Sequence, residues 1–191
     1  MGRRLKEVIP NLLSGFRLAF SPIGAFCLYS GSWSCALVVL ALAAVSDFLD
    51  GFLARRWGVE SQLGVILDPA ADKVALFSYL LALWAGPFDF KPSEVLVLSF
   101  LFKEAAVLFG IPFGARLGFV PRPSFWGKAA TYALFTYFLV FVLSLRWSVF
   151  GVFLPWLEGI SVFLLLLAGL GYWRRSLGLF LKYLKNHGRE N

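Results

Sequence analysis

Charge is what this sequence is short of. Only 15% of its 191 residues are Asp, Glu, Lys or Arg, and none falls between Leu18 and Ser46. Histidine is almost missing: His187 stands alone in the polar C-terminal tail and reads as a solvated group. Cysteine is nearly as scarce. Cys27 and Cys35 make no metal-ligand spacing, so a cysteine-held metal is excluded, and both read as small buried apolar residues. Repeats, low-complexity tracts and any stretch resembling a soluble domain are absent. Nothing marks the N-terminus as a cleaved signal, because Arg3, Arg4 and Lys6 lead through Pro10-Asn11 into a run that continues as a long helix.

What fills the chain is apolar. Hydrophobic residues make up 59% and the mean hydropathy is +0.76, where a soluble domain of this length has under about half its residues apolar. A helix needs about 20 apolar residues to cross a bilayer. Six such segments are predicted at about 11–30, 33–56, 69–87, 94–113, 125–146 and 150–172, separated by Ser30-Gly31-Ser32, Gly86-Pro87 and the loop from Gly114 to Pro123. The expected fold is all-α: one polytopic membrane domain over residues 1–191, with six transmembrane helices and a short N-terminal interfacial helix at Arg3–Ile9.

Lys and Arg number 18 against 11 Asp and Glu. The cations flank apolar runs instead of covering a solvated face, which points to anionic lipid headgroups and not to nucleic acid. Fourteen of them, Arg17 included, fall near one set of helix ends, and only Lys91 and Arg146 near the other. Both termini are therefore expected in the cytoplasm, with an even number of spans in the cell (inner) membrane. Trp33, Trp147, Trp156 and Trp173 fall near predicted helix ends and read as an interfacial belt.

Four of the 11 acids lie within 26 residues. Asp47 and Asp50 are three apart at the end of the second segment; Asp68 and Asp72 are four apart at the start of the third. Each spacing places its pair on one helix face, and a polar hairpin between the segments lets the faces meet. Four such carboxylates require compensation. Oxygen-only ligands suit Mg²⁺ or Mn²⁺, and two divalent ions balance four carboxylates in a centre that serves displacement at phosphorus. Gly51, Ala54 and Gly64 let a ligand approach the backbone, and Arg55 suits phosphate oxygens. Asn11, Ser14 and Arg17 share a face of the first helix and are candidate nucleotide contacts. A six-span cation transporter also holds facing carboxylates, but near the midplane with broken helices.

The pattern D-x₂-D-G-x₂-A-R-x₈-G-x₃-D-x₃-D, met from Asp47 through Gly51, Ala54, Arg55 and Gly64 to Asp68 and Asp72, resembles the signature of the CDP-alcohol phosphotransferases. That resemblance implies a membrane enzyme in which Asp47, Asp50, Asp68 and Asp72 bind two divalent metals and Asp72 also acts as base. It further implies that Asp50, Gly51, Ala54, Arg55 and Gly64 line a CDP site. Ile9 to Arg17, Leu67 to Lys73, and Trp126-Gly127-Lys128 with Thr131 resemble the bacterial phosphatidylglycerophosphate synthases within that family. The implied substrates are CDP-diacylglycerol and glycerol 3-phosphate, with cardiolipin synthesis from phosphatidylglycerol as the rival. Ser14 and Lys103 stand where that branch usually has Thr and Arg.

A phosphorylated acceptor needs more cations. Lys103 lies inside an apolar span, where a cation tends to mark a site. Its neighbour Glu104 points about 100° away on a helix and is not expected to face it. Arg116 and Lys128 flank the following loop and complete the candidate acceptor set. Small-residue faces permit a homodimer, a state the family often forms.

Overall fold

The computed structural model describes residues 3–58, 62–117 and 124–187, and for some of these, among them Asp50, Gly51, Ala54, Arg55 and Asp68, the backbone alone. Six α-helices follow one another: α1 Arg3–Tyr29, α2 Trp33–Trp57, α3 Gln62–Ala85, α4 Glu94–Arg116, α5 Phe125–Ser144 and α6 Leu154–His187, with a 3₁₀ turn at Ser148–Phe153 before α6. Among the described residues there is no strand. Among the described residues four helical stretches are long and apolar enough to cross a bilayer: Asn11–Tyr29, Glu94–Arg116, Phe125–Ser144 and Ser148–Lys185. The apolar part of α2, Trp33–Leu49, is shorter.

Three boundaries differ from those read off hydropathy. Arg3–Ile9 is no separate element but the first turns of α1. α3 starts at Gln62, not near Pro69. Gly58, just past the end of α2, takes φ +61°, the left-handed conformation that lets the chain leave a helix abruptly. α6 runs to His187; at about 1.5 Å per residue its 34 residues exceed the roughly 30 Å of a hydrocarbon core.

The chain divides into two compact units, one holding residues 1–91 and 138–152 and the other 92–137 and 153–191. In the first, α1 packs against both α2 and α3. Tyr79 of α3 is fully buried and donates its hydroxyl to the Ala36 carbonyl of α2 at 3.2 Å. Gly24 of α1 makes room for it: a Cβ there would lie 2.2 Å from the Tyr79 hydroxyl and 2.6 Å from Val39. Cys27 and Cys35 are joined in a disulfide across the α1–α2 turn, Cα atoms 5.8 Å apart, which corrects their reading as small buried apolar residues. The hairpin geometry that brings them within bonding range is set by Gly31, whose φ of +84° reverses the chain.

In the second unit α4 and α6 cross closely through small residues. The Ser176 hydroxyl donates to the Ala106 carbonyl at 2.8 Å, and a Cβ on Gly110 would meet that hydroxyl at 2.3 Å. Membrane helices lack a hydrophobic drive to associate and rely on such contact. Beyond the crossing, Trp173 stacks on Phe109, and Phe180 and Tyr183 pack on Phe113. Trp173 thus packs against α4 while staying partly exposed, and this aromatic seam carries α6 past the predicted end. At the other end of α4, Ser93 caps the helix, and its own N–H donates to buried Glu158 of α6 at 2.8 Å.

Replacing Gly24 with Ala should force Tyr79 from its bond to Ala36. The expected cost is about 1–3 kcal/mol, a fall in Tm of roughly 2–10 °C by thermal unfolding in detergent. An unchanged Tm would show that the α1–α3 contact is looser than the geometry indicates.

Candidate metal centre and nucleotide site

The acidic motif is carried by α2 and α3, and the earlier start of α3 places Asp72 deeper in its helix than the predicted segment did. Asp47 lies ten residues before the end of α2 and Asp72 ten after the start of α3, each about 15 Å along its helix from the connection. The two carboxylates converge on Arg17 of α1. Its guanidinium bonds Asp47 Oδ1 and lies 3.4 Å from Asp72 Oδ1. Arg17 is 1% exposed, whereas the Asp47 and Asp72 side chains are 46% and 37% exposed. The cation therefore sits on the closed side of the cluster and the carboxylates on its open side.

α1 is shaped for this. Ser14 and Ser21, one turn to either side of Arg17, are fully buried, so the face of α1 that meets its neighbours is polar and small around the guanidinium. Ser14 and Arg17 share a face of α1 with Asn11, and in the sequence Arg17 also falls among the basic flanks of the helix ends. Its burial removes it from that count. The signal for its real position was present: it is the last charge before the uncharged run that begins at Leu18.

Asp50, Gly51, Ala54, Arg55 and Asp68 lie on α2 and α3 at helical positions, and their side chains fall outside the described residues. Gly64 lies in the first turn of α3. Among the described residues no group of three potential metal ligands is assembled; the described pair is Asp47 and Asp72. Their donor chemistry fits a hard divalent cation, being carboxylate oxygen from two helices held at one point.

The candidate acceptor cations belong to the second unit. Lys103 is buried in α4 and pairs with Glu104 at 2.5 Å, so the expectation that these neighbours would not face each other is corrected. Adjacent positions diverge at Cβ, but the long flexible lysine stem bends the ammonium back to the carboxylate. Arg116, in the last turn of α4, donates to the Tyr183 hydroxyl at 2.6 Å and lies over that ring. Lys128 is exposed in the first turn of α5. Beside it, Gly127 is a packing position: a Cβ would meet the Tyr172 hydroxyl at 2.4 Å, and that hydroxyl accepts from the Ser124 N–H at 3.0 Å. Thr131 donates back to the Gly127 carbonyl.

A family model described as CDP-alcohol phosphatidyltransferase matches residues 7–170, a region that runs through both units. The chain is 42% identical over 146 residues to a Streptomyces coelicolor protein named cardiolipin synthase (CMP-forming), covering 71% of this chain and 65% of that protein. It is 36% identical over 127 residues to an Aquifex aeolicus CDP-diacylglycerol–glycerol-3-phosphate 3-phosphatidyltransferase, covering 64% and 68%. A Cereibacter sphaeroides protein of the same name is 41% identical over 104 residues, covering 52% of this chain and 47% of that protein. The chain thus spans about two thirds or less of the curated relatives it matches. No solved structure matches it.

Proposed function

Because this chain belongs to the CDP-alcohol phosphatidyltransferase family, we propose that it moves the phosphatidyl group of CDP-diacylglycerol onto an alcohol and releases CMP. The observation that carries the reading is the convergence of Asp47 and Asp72, one from each half of the acidic motif, on a single buried guanidinium. An isolated carboxylate pair is commonly a structural ion pair, but this one occupies the open side of a cluster in a chain with the family's whole signature. Family membership also sets aside the cation transporter that facing carboxylates alone allowed.

In this reading Asp47, Asp50, Asp68 and Asp72 hold two divalent ions, Mg²⁺ or Mn²⁺, which when bound neutralise charge on the pyrophosphate. Gly51, Ala54, Arg55 and Gly64 line the CDP site. Asp72 accepts the proton of the incoming hydroxyl. The acceptor oxygen bonds to the β-phosphorus as the bond from that phosphorus to the CMP oxygen breaks, and CMP leaves with the electron pair. The whole chain acts as one catalytic domain whose six helices all cross the bilayer.

Glycerol 3-phosphate is the proposed acceptor, with Lys103, Arg116 and Lys128 as the cations that receive its phosphate. The resemblance of Ile9 to Arg17 and of Trp126-Gly127-Lys128 to the phosphatidylglycerophosphate synthases supports this, as do the names of the Aquifex and Cereibacter relatives. The Streptomyces relative favours a second reading, in which phosphatidylglycerol is the acceptor and cardiolipin the product. Purified protein supplied with CDP-diacylglycerol, Mn²⁺ and one acceptor at a time should release CMP with glycerol 3-phosphate. Release with phosphatidylglycerol alone would move the assignment to the second reading, and no release with any acceptor would remove the enzyme.

Asp72→Asn should abolish turnover, by at least about 10²-fold in kcat, in a protein that still unfolds cooperatively but at a lower Tm, because Arg17 keeps Asp47 and loses the charge of its second carboxylate. Turnover close to wild type would take the base role from Asp72.

In the proposed orientation both termini and the aspartates face the cytoplasmic side of the cell (inner) membrane. With Arg17 withdrawn, 13 basic residues still flank one set of helix ends against 2 at the other. The Cys27–Cys35 disulfide is independent support: it lies at the α1–α2 turn, at the opposite ends of these helices from Arg3 and Trp57, and disulfides persist where the compartment is oxidising. In intact cells, a membrane-impermeant reductant followed by an impermeant maleimide should label both cysteines. Labelling that requires permeabilised cells would reverse the orientation.

A further inference from the structure

A guanidinium that is 1% exposed must be held by partners that repay its loss of water, and its partners here include two of the carboxylates proposed as metal ligands. Three features distinguish this from a salt bridge that merely ties helices together. Arg17 reaches Asp47 on α2 and Asp72 on α3 at once, so one planar fork spans both halves of the motif. Contact is through Oδ1 in each case, on the closed side of the cluster. And the exposure is one-sided, with the cation sealed and both carboxylates more than a third open. A pair that served stability alone gains nothing from leaving its anions accessible.

We propose that Arg17 is a positioning residue of the metal centre: from the closed side of the cluster it draws Asp47 and Asp72 to one point, so that the open sides of both carboxylates are presented together to divalent ions. Carboxylates crowded on facing helices repel one another and turn apart, and a fixed cation behind them removes that cost before any metal arrives. Groups that orient metal ligands in this way typically contribute 10- to 100-fold to metal affinity. The buried serines one turn away on either side, Ser14 and Ser21, are short enough to leave the guanidinium its room. The inference rests on the aspartates being metal ligands, and the two ideas fail differently.

Mn²⁺ binding to the full-length protein in detergent, followed by the electron paramagnetic resonance of free Mn²⁺, tests it without reference to turnover. Arg17→Met should weaken Mn²⁺ binding by at least tenfold. Arg17→Lys, which keeps the charge but not the fork, should lie between Met and wild type. Metal-free Tm is measured on the same samples. A lower Tm with unchanged Mn²⁺ affinity in either variant would make Arg17 a structural residue only and overturn the proposal. Tighter Mn²⁺ binding in Arg17→Met would also overturn it, by making the guanidinium a competitor of the metals. Should Arg17→Met fail to fold, the lysine variant decides alone: affinity equal to wild type overturns the proposal, and a fall of threefold or more supports it. Wild-type protein that binds no Mn²⁺ would instead remove the metal reading beneath it.

Discussion

A positive charge sealed inside an apolar helix bundle is the constraint around which the first unit is arranged. Arg17 has almost no access to solvent, and in such surroundings an unpaired guanidinium would cost several kcal/mol. Meeting it requires α1, α2 and α3 to be in register, because Asp47 comes from one neighbour and Asp72 from the other. The same requirement keeps α1 packed against both α2 and α3. The cation organises the helices, and the helices in turn bring the acidic motif to a point.

Register is held at the other end of the same helices by contacts of a different kind. Gly24 admits the Tyr79 ring, whose hydroxyl reaches a backbone carbonyl on α2, and the Cys27–Cys35 bridge closes the α1–α2 turn. The second unit solves the same problem with Gly110 against Ser176 and with Gly169, where a Cβ would lie 2.7 Å from the Phe102 ring. In both units missing side chains set how near two backbones can come, and one hydrogen bond sets the rotation. That division suits a lipid solvent, where apolar area does not discriminate between packed and separated helices.

The boundaries that hydropathy placed wrongly are informative. Residues 62–68 and the stretch beyond Tyr172 lie outside the predicted apolar segments, yet both belong to their helices. Hydropathy reports where lipid is tolerated, whereas helix ends follow from backbone hydrogen bonding and from partners. For α6 the partner is the aromatic seam with Phe109 and Phe113, supplied by residues some 60 to 70 positions away in the chain. The cysteine pair was unreadable for the same reason: eight residues of separation mean nothing until a turn folds them back. Lys103 and Glu104 show the complementary error, since helix geometry fixes Cβ directions but not where a four-carbon stem ends.

Read alone, the sequence determined that the chain is helical and membrane-embedded, and that its acids fall in two pairs at spacings that put each pair on one helix face. Those are consequences of composition and of a 3.6-residue period, both local. Tertiary structure decided which cation answers those acids. Arg17, which reaches both Asp47 and Asp72, lies 30 and 55 positions away on another helix. Only the packing of α1 between α2 and α3 brings it there, because pairing a buried charge is settled by distance in space and not by order along the chain.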